Sequence, residues 1–205
     1  MANSARTRME SLLSIIPGGR ERRSGLRVHT VLRVARVERA NDVGLWRVRN
    51  LSDHGMMLET GIEVVPGERL AIHLSDSISV AGRAVWCDGG RCGVEFDAPL
   101  DCAALLQGLH AEQRSPSFRP LRLPVATRAI AYCEKGLHSV KIVNLSPSGA
   151  AFEHDGCFTP GMNAMLLFEN GEEHRGVVRW SEGGRAGLYL TEPFPCARLE
   201  SANDF

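Results

Sequence analysis

The feature that most narrows what this chain can fold into is that it repeats itself. Asn50-Leu51-Ser52-Asp53-His54-Gly55 returns as Asn144-Leu145-Ser146-Pro147-Ser148-Gly149, 94 positions later. At the same offset Pro66-Gly67 returns as Pro160-Gly161, Trp86 as Trp180, Gly89-Gly90-Arg91 as Gly183-Gly184-Arg185, and Gly93 as Gly187. Self-similarity at one fixed period means one structural unit used twice. The 205 residues are therefore read as two small domains in tandem.

Each unit reads as mostly strand. In the first, the segments 27–39, 45–51, 56–60, 69–74, 78–86 and 91–96 are rich in β-branched and aromatic residues and are separated by Gly, Pro, Asp and Ser clusters. Along 45–51, Leu45, Arg47, Arg49 and Leu51 fall on one side and Trp46, Val48 and Asn50 on the other. Asp88-Gly89-Gly90 and Gly183-Gly184 are hairpin signals. Six short strands joined by tight turns predict a small closed barrel. Trp86 and Trp180 are expected in the barrel cores. From Pro99 to Arg114, Leu100, Ala103, Ala104, Leu106, Gln107 and His110 give a helical stripe that closes the first unit. No such helix is read in the second. The fold class is thus all-β with minor α: two six-stranded barrels with a helix after the first.

The units are bounded as an N-terminal segment (1–19), a first domain (20–113), a second domain (114–195) and a polar, loose tail (196–205). The N-terminal segment is read as a short helix or disordered; Ser4 to Ile16 suits an amphipathic helix stopped by Pro17-Gly18-Gly19. Arg20 to Leu26 is then a basic, flexible linker into the first strand.

Composition removes several function classes. The formal net charge is zero and aromatics are 6% of the chain, which disfavours a nucleic-acid-binding protein. No segment is long and apolar enough for a membrane helix, and no signal peptide is evident, so a cytoplasmic protein is expected. The six cysteines are then reduced thiols. No C-x-x-C pair and no H-E-x-x-H exists among them and the seven histidines, so no metal site is expected. No G-x-S-x-G elbow, P-loop or G-x-G-x-x-G is present, and no catalytic set is found.

Two elements carry chemistry. Arg20-Glu21-Arg22-Arg23-Ser24-Gly25-Leu26-Arg27 is an arginine cluster on a linker. Guanidinium forks pair bidentately with phosphate and read the O6/N7 edge of guanine. Asn50 to Gly55 lies between two strands. Asn50 and Ser52 can donate to and accept from a base edge, and Gly55 allows positive φ or a close backbone approach.

Arg23-x-x-x-Arg27 followed by Asn50-x-Ser52-x-x-Gly55 resembles the signature of the PilZ domain family, RxxxR then (D/N)xSxxG. The resemblance implies a bacterial cyclic di-GMP receptor built on a six-stranded barrel, and not an enzyme. It assigns Arg23 and Arg27 to phosphate and guanine, Asn50 and Ser52 to guanine, and Gly55 to the turn. Arg22 before the motif goes with an intercalated ligand dimer in that family. His54 sits inside the turn beside these residues. In the second copy Asn144, Ser146 and Gly149 complete the second half-motif, but the first half fails. Arg119 is aligned with Arg27, yet Ser115 stands four positions before it, Arg114 five before, and Arg122 three after. Arg119, Asn144, Ser146 and Gly149 therefore make at most a weak second site. The implied function is a receptor that relays the second messenger to an unidentified downstream protein through ligand-induced ordering of its Arg-rich linker. A PilZ-like interaction adaptor that binds no nucleotide is the alternative.

Overall fold

In the computed structural model, residues 28–116 and 118–205 are described, with side chains from Arg33 onward. The first unit runs β1 (Val28–Glu38), β2 (Val43–Ser52), β3 (Gly55–Glu59), β4 (Arg69–His73), β5 (Ser79–Asp88) and β6 (Arg91–Phe96), then helix α1 (Cys102–Gln113). The second runs β7 (Leu123–Cys133), β8 (Gly136–Ser146), β9 (Gly149–Glu153), β10 (Asn163–Phe168), β11 (Glu173–Glu182) and β12 (Arg185–Leu190). Each set closes into an antiparallel barrel, in the orders β1-β2-β3-β6-β5-β4 and β7-β8-β9-β12-β11-β10. Closure leaves no free sheet edge. The β5–β6 and β11–β12 hairpins turn on Gly89-Gly90 and Gly183-Gly184, all four at positive φ, as the tightest hairpins require. No helix among the described residues is long and apolar enough to cross a membrane, and all six cysteines are free.

Matching bulges decide which side chains face inward. Register shifts between Val48 and Asn50 on β2, and between Ala84 and Trp86 on β5, each add a residue to one strand. Strict alternation along β2 is therefore wrong: Trp46, Val48 and Leu51 all join the first core, and Leu45 faces the second barrel. The β5 bulge turns Trp86 out, with 43% of its surface exposed, and the β11 bulge does the same for Trp180 at 39%. The expectation that these tryptophans fill the cores is overturned. The indole held in the first core is Trp46.

Helix α1 presents Cys102, Leu105, Leu106 and Leu109 to the first barrel, an i, i+3, i+4, i+7 stripe. Ala103, Ala104, Gln107 and His110, placed on the stripe by sequence, are exposed instead. Asp101 caps the helix by accepting from Ala104 N at 2.9 Å.

The expected loose tail is ordered. A 3₁₀ turn, Cys196–Leu199, stands where α1 begins in the first copy, so the second copy has a remnant of the helix. A second turn covers Ala202–Asp204. Between them the tail straps onto the first barrel. Trp46 Nε1 donates to Glu200 O at 2.8 Å, the Glu200 carboxylate accepts from Gly61 N and Thr60 Oγ1, and Ala202 N donates to Asp42 Oδ1 at 3.1 Å. Gly44 has to be glycine, because a Cβ there would overlap the Glu200 carbonyl. Leu45, with Val34 and Val43, packs into the second barrel's apolar cluster, alongside Leu199, Ala202 and Phe205.

Candidate functional site

A cleft of about 560 Å³ lies on the outer wall of the first barrel, where β2, β3, β5 and β6 meet. That is within the usual size of a small-molecule site. The β2–β3 turn supplies Asn50, Ser52, His54 and Gly55, and the facing strands supply Val85, Trp86, Gly93 and Glu95. Asn50 sits at the β2 bulge, which places it on the cleft side. Ser52 Oγ donates to Gly55 O at 3.0 Å and so closes its own turn. Its proton is spent there, and toward a ligand it offers lone pairs only. Gly55 is not at positive φ. Its need is the other one: a Cβ would press into the carbonyl of Val94 on the neighbouring strand.

Trp86 lies over Gly93, where any Cβ would overlap the indole. The ring is thus held flat against the β6 backbone with its outer face exposed, and forms one wall of the cleft. Sequence reasoning passed over Trp86 as a site residue. The signal was present as a Trp and a Gly repeated together at the same offset.

The turn is fastened from behind. Leu100 N donates to Asp53 O at 2.7 Å, and the Asp53 carboxylate accepts from Cys102 N at 3.1 Å. Phe96 N donates to His54 O at 2.9 Å. A turn held at three points by helix and strand backbone gives its outward groups a fixed position.

Arg22, Arg23 and Arg27 lie outside the described residues. What is described is where the chain enters: Val28 pairs with Leu51 and His29 with Asn50, so β1 begins beside Ser52 at the rim of the cleft.

The second barrel carries a smaller cleft, about 210 Å³, at the matching place. Asn144, Ser146 and Gly149 keep the same turn, with Ser146 Oγ donating to Gly149 O at 3.3 Å. The arginine that reaches this turn is Arg122, whose Nη1 donates to Asn144 Oδ1 at 2.9 Å. Burial lowers the Arg122 pKa, and nearby Arg119 adds to the effect. Arg119 itself lines a different hollow, with Ser75, Asp76 and Glu112 of the first barrel. The correct partner of Arg27 is therefore Arg122, not Arg119. The strand register gives the reason. From His29 to Arg33 the bulge on β1 spans one residue more than the bulge from Pro124 to Thr127 on β7, which puts the residues before it 95 positions apart instead of 94. On that alignment Phe118 stands where the first copy has Arg23. Arg179, stacked 4.9 Å over Tyr189, occupies the wall that Val85 and Glu95 form in the first barrel.

The PilZ domain model matches residues 21–109 and again 113–193. No curated protein matches the chain. Among solved structures it is similar to the Borreliella burgdorferi PlzA protein in complex with c-di-GMP, at 14% identity over 89% of this chain and 93% of that one, with a TM-score of 0.36. It is also similar to the Bacillus subtilis inhibitor of motility MotI/DgrA (12% identity, 83% and 94% covered, TM-score 0.31). A third is Escherichia coli YcgR in complex with c-di-GMP (10% identity, 82% and 77% covered, TM-score 0.28). With a family match in each half, one barrel to each match, the chain belongs to the PilZ domain family as a tandem of two PilZ domains.

Proposed function

We propose that this protein is a cyclic di-GMP receptor whose ligand site is the cleft of the first barrel. The observation that carries the reading is the meeting of Asn50, Ser52 and the exposed Trp86 in one cleft at the point where the chain enters β1. A guanine laid in that cleft finds an indole face to stack on, an amide to pair with its edge, and the Ser52 lone pairs to accept from its N–H groups. Arg27 immediately precedes Val28 in the chain, and in this reading Arg23 and Arg27 supply the forks for phosphate. With Arg22 before them, two stacked ligand molecules per protein are expected. This is binding without turnover, and the protein acts in the bacterial cytoplasm.

The signal leaves through the linker. Ligand neutralises the mutual repulsion of the arginines in residues 17–26 and orders them, which repositions the apolar residues Met9, Leu12, Leu13, Ile15 and Ile16 for a downstream protein. Calorimetric titration of the full chain with cyclic di-GMP tests the site. Micromolar or tighter affinity is expected, about −8 kcal/mol or better. No heat and no thermal shift at high ligand leaves the adaptor reading standing instead. Hydrogen exchange over residues 17–26, with and without ligand, tests the relay separately.

A further inference from the structure

The far end of the second barrel brings together three side chains from two separate segments of the sequence. His138 lies on β8, and Asp155 and Cys157 flank Gly156 in the β9–β10 loop. One donor atom from each, a ring nitrogen, a carboxylate oxygen and the sulfur, all lie within 4.8 Å of one another. The loop is held in this shape from the side. His154 Nδ1 accepts from Gly156 N at 2.7 Å and its Nε2 meets Ser181 Oγ at 3.0 Å, so His154 sets the turn and has no nitrogen left to give. Gly156 is at φ +98°.

The three donors are weakly committed elsewhere. His138 Nδ1 is 3.5 Å from Asp155 Oδ2, long for a hydrogen bond, and its Nε2 is buried with no partner among the described residues. The His138 ring stands edge-on to Phe158, at 5.6 Å and 69°, which fixes its plane. Asp155 Oδ1 accepts a 3.4 Å contact from Cys157 N and the Asp155 carboxylate is also hydrogen-bonded to the Cys157 thiol, so these ties stay inside the cluster, and the Asp155 side chain is 70% exposed, which leaves one side open to water. A neutral imidazole, a carboxylate and a thiolate form a mixed N/O/S set that suits a borderline cation. Calcium and magnesium prefer all-oxygen cages. Tetrahedral zinc bonds of about 2.0–2.3 Å put ligand atoms roughly 3.3–3.8 Å apart. The loop therefore has to close by about 1 Å, mostly through the exposed Asp155 side chain. Lys135 Nζ, which donates to Cys157 O at 2.9 Å, is a cation at the margin, and its long stem lets it swing away.

We propose that His138, Asp155 and Cys157 form a zinc site that pins the β9–β10 loop to the β7–β8 hairpin, with water in the fourth position. Binding forms a Zn–S bond and releases the Cys157 proton to solvent. Burial and the neighbouring Asp155 carboxylate push the metal-free thiol up to about 12, so it stays protonated until the cation arrives. The site was invisible to spacing rules because Asp155-x-Cys157 is neither a C-x-x-C nor an H-E-x-x-H pair and its third ligand, His138, comes from another strand.

The test is titration of the reduced full-length protein with Zn²⁺, and with Co²⁺ as a spectroscopic stand-in. One tight equivalent and a sulfur-to-cobalt charge-transfer band are expected. Cys157→Ser should abolish the band. Asp155→Asn, at an exposed position that does not threaten folding, should weaken Zn²⁺ binding by at least the roughly 10- to 100-fold that loss of an outer-shell partner costs. Cys87→Ser and Cys196→Ser should change neither. Absence of the band, or a band that survives Cys157→Ser, overturns the site.

Discussion

In the first barrel the β2–β3 turn carries Asp53, whose carboxylate accepts from Cys102 N, and Asp101 caps the same helix start. In the second barrel those two places hold Pro147 and Pro195, neither of which has a side-chain acceptor. The backbone contact survives, since Phe194 N donates to Pro147 O at 2.8 Å just as Leu100 N donates to Asp53 O. What is lost is the helix. Cys102–Gln113 runs for 12 residues, while Cys196–Leu199 stops after a single 3₁₀ turn. Two carboxylates at the helix start separate a full helix from a remnant, and the segment freed in the second copy is put to another use, as the strap onto the first barrel. The clefts diverge in the same way. Both keep Asn, Ser and Gly in the turn, but the first opens to about 560 Å³ where the second, with Arg179 on Tyr189 and Arg122 on Asn144, is about 210 Å³. Duplication preserved the barrel and let the attachments change.

The sharpest way to break this comparison is at the arginines. Arg23→Ala or Arg27→Ala should each remove a charge-assisted contact of about 1.5–3 kcal/mol, a roughly 10- to 150-fold rise in Kd. Arg122→Ala should shift Kd less than about twofold, since its fork is already on Asn144. Equal losses by calorimetry would make the second cleft a working site. Next in size, Trp86→Ala should weaken cyclic di-GMP binding by about 1–3 kcal/mol, the worth of one stacked base, with Trp180→Ala silent. Fluorescence titration of both variants checks it.

Asp53→Ala should destabilise α1 by about 1 kcal/mol. It should do so without touching the second barrel, which is measurable as faster exchange of the α1 amides alone. The smallest effect concerns acid. Arg39 clasps Glu68 with two bonds, at 2.5 and 3.0 Å, and that hydrogen bond holds the Glu68 carboxyl below its usual range. A depressed carboxylate pKa contributes stability that is fully present above the unfolded value, about 4.3, and is lost as pH falls through the folded one. The matching positions of the second barrel are Cys133 and Met162, which carry no such pair. Below about pH 4 the β1–β4 end of the first barrel around Arg39 should therefore loosen, and Glu68→Gln should erase that part of the acid sensitivity, as read by exchange of the β1 and β4 amides.

The barrels were legible in the sequence because clusters of Gly, Pro, Asn, Asp and Ser punctuate the strands and because the punctuation occurs twice. The Asn-x-Ser-x-x-Gly turns were legible as local motifs. The bulges were not, since a bulge is a relation between two strands and either strand alone reads as plain alternation. That one blind spot accounts for the misplacing of Trp86, Trp180 and Leu51. The extra bulge residue on β1 also hid the true partner of Arg27, moving it from Leu121 at the 94-residue offset to Arg122; Arg119, 92 positions on, fits neither register. The strap was hidden for a different reason: Glu200 and Ser201 look like surface residues until Trp46, Thr60 and Gly61 are set beside them. The arginine linker was legible as a spaced motif, Arg23-x-x-x-Arg27, and lies outside the described residues.

The strap also imposes an order of events on synthesis. Trp46 and the Glu200 carbonyl it binds are 154 residues apart. At a ribosomal pace of about 5–20 residues per second, roughly 8–30 s pass between the two. Throughout that interval the nascent first barrel has an indole N–H without its acceptor, and Leu45 and Val43 without the apolar neighbours they meet in the finished molecule. The newborn protein is thus exposed to wrong partners along β2 until the strap that relieves the exposure has been made.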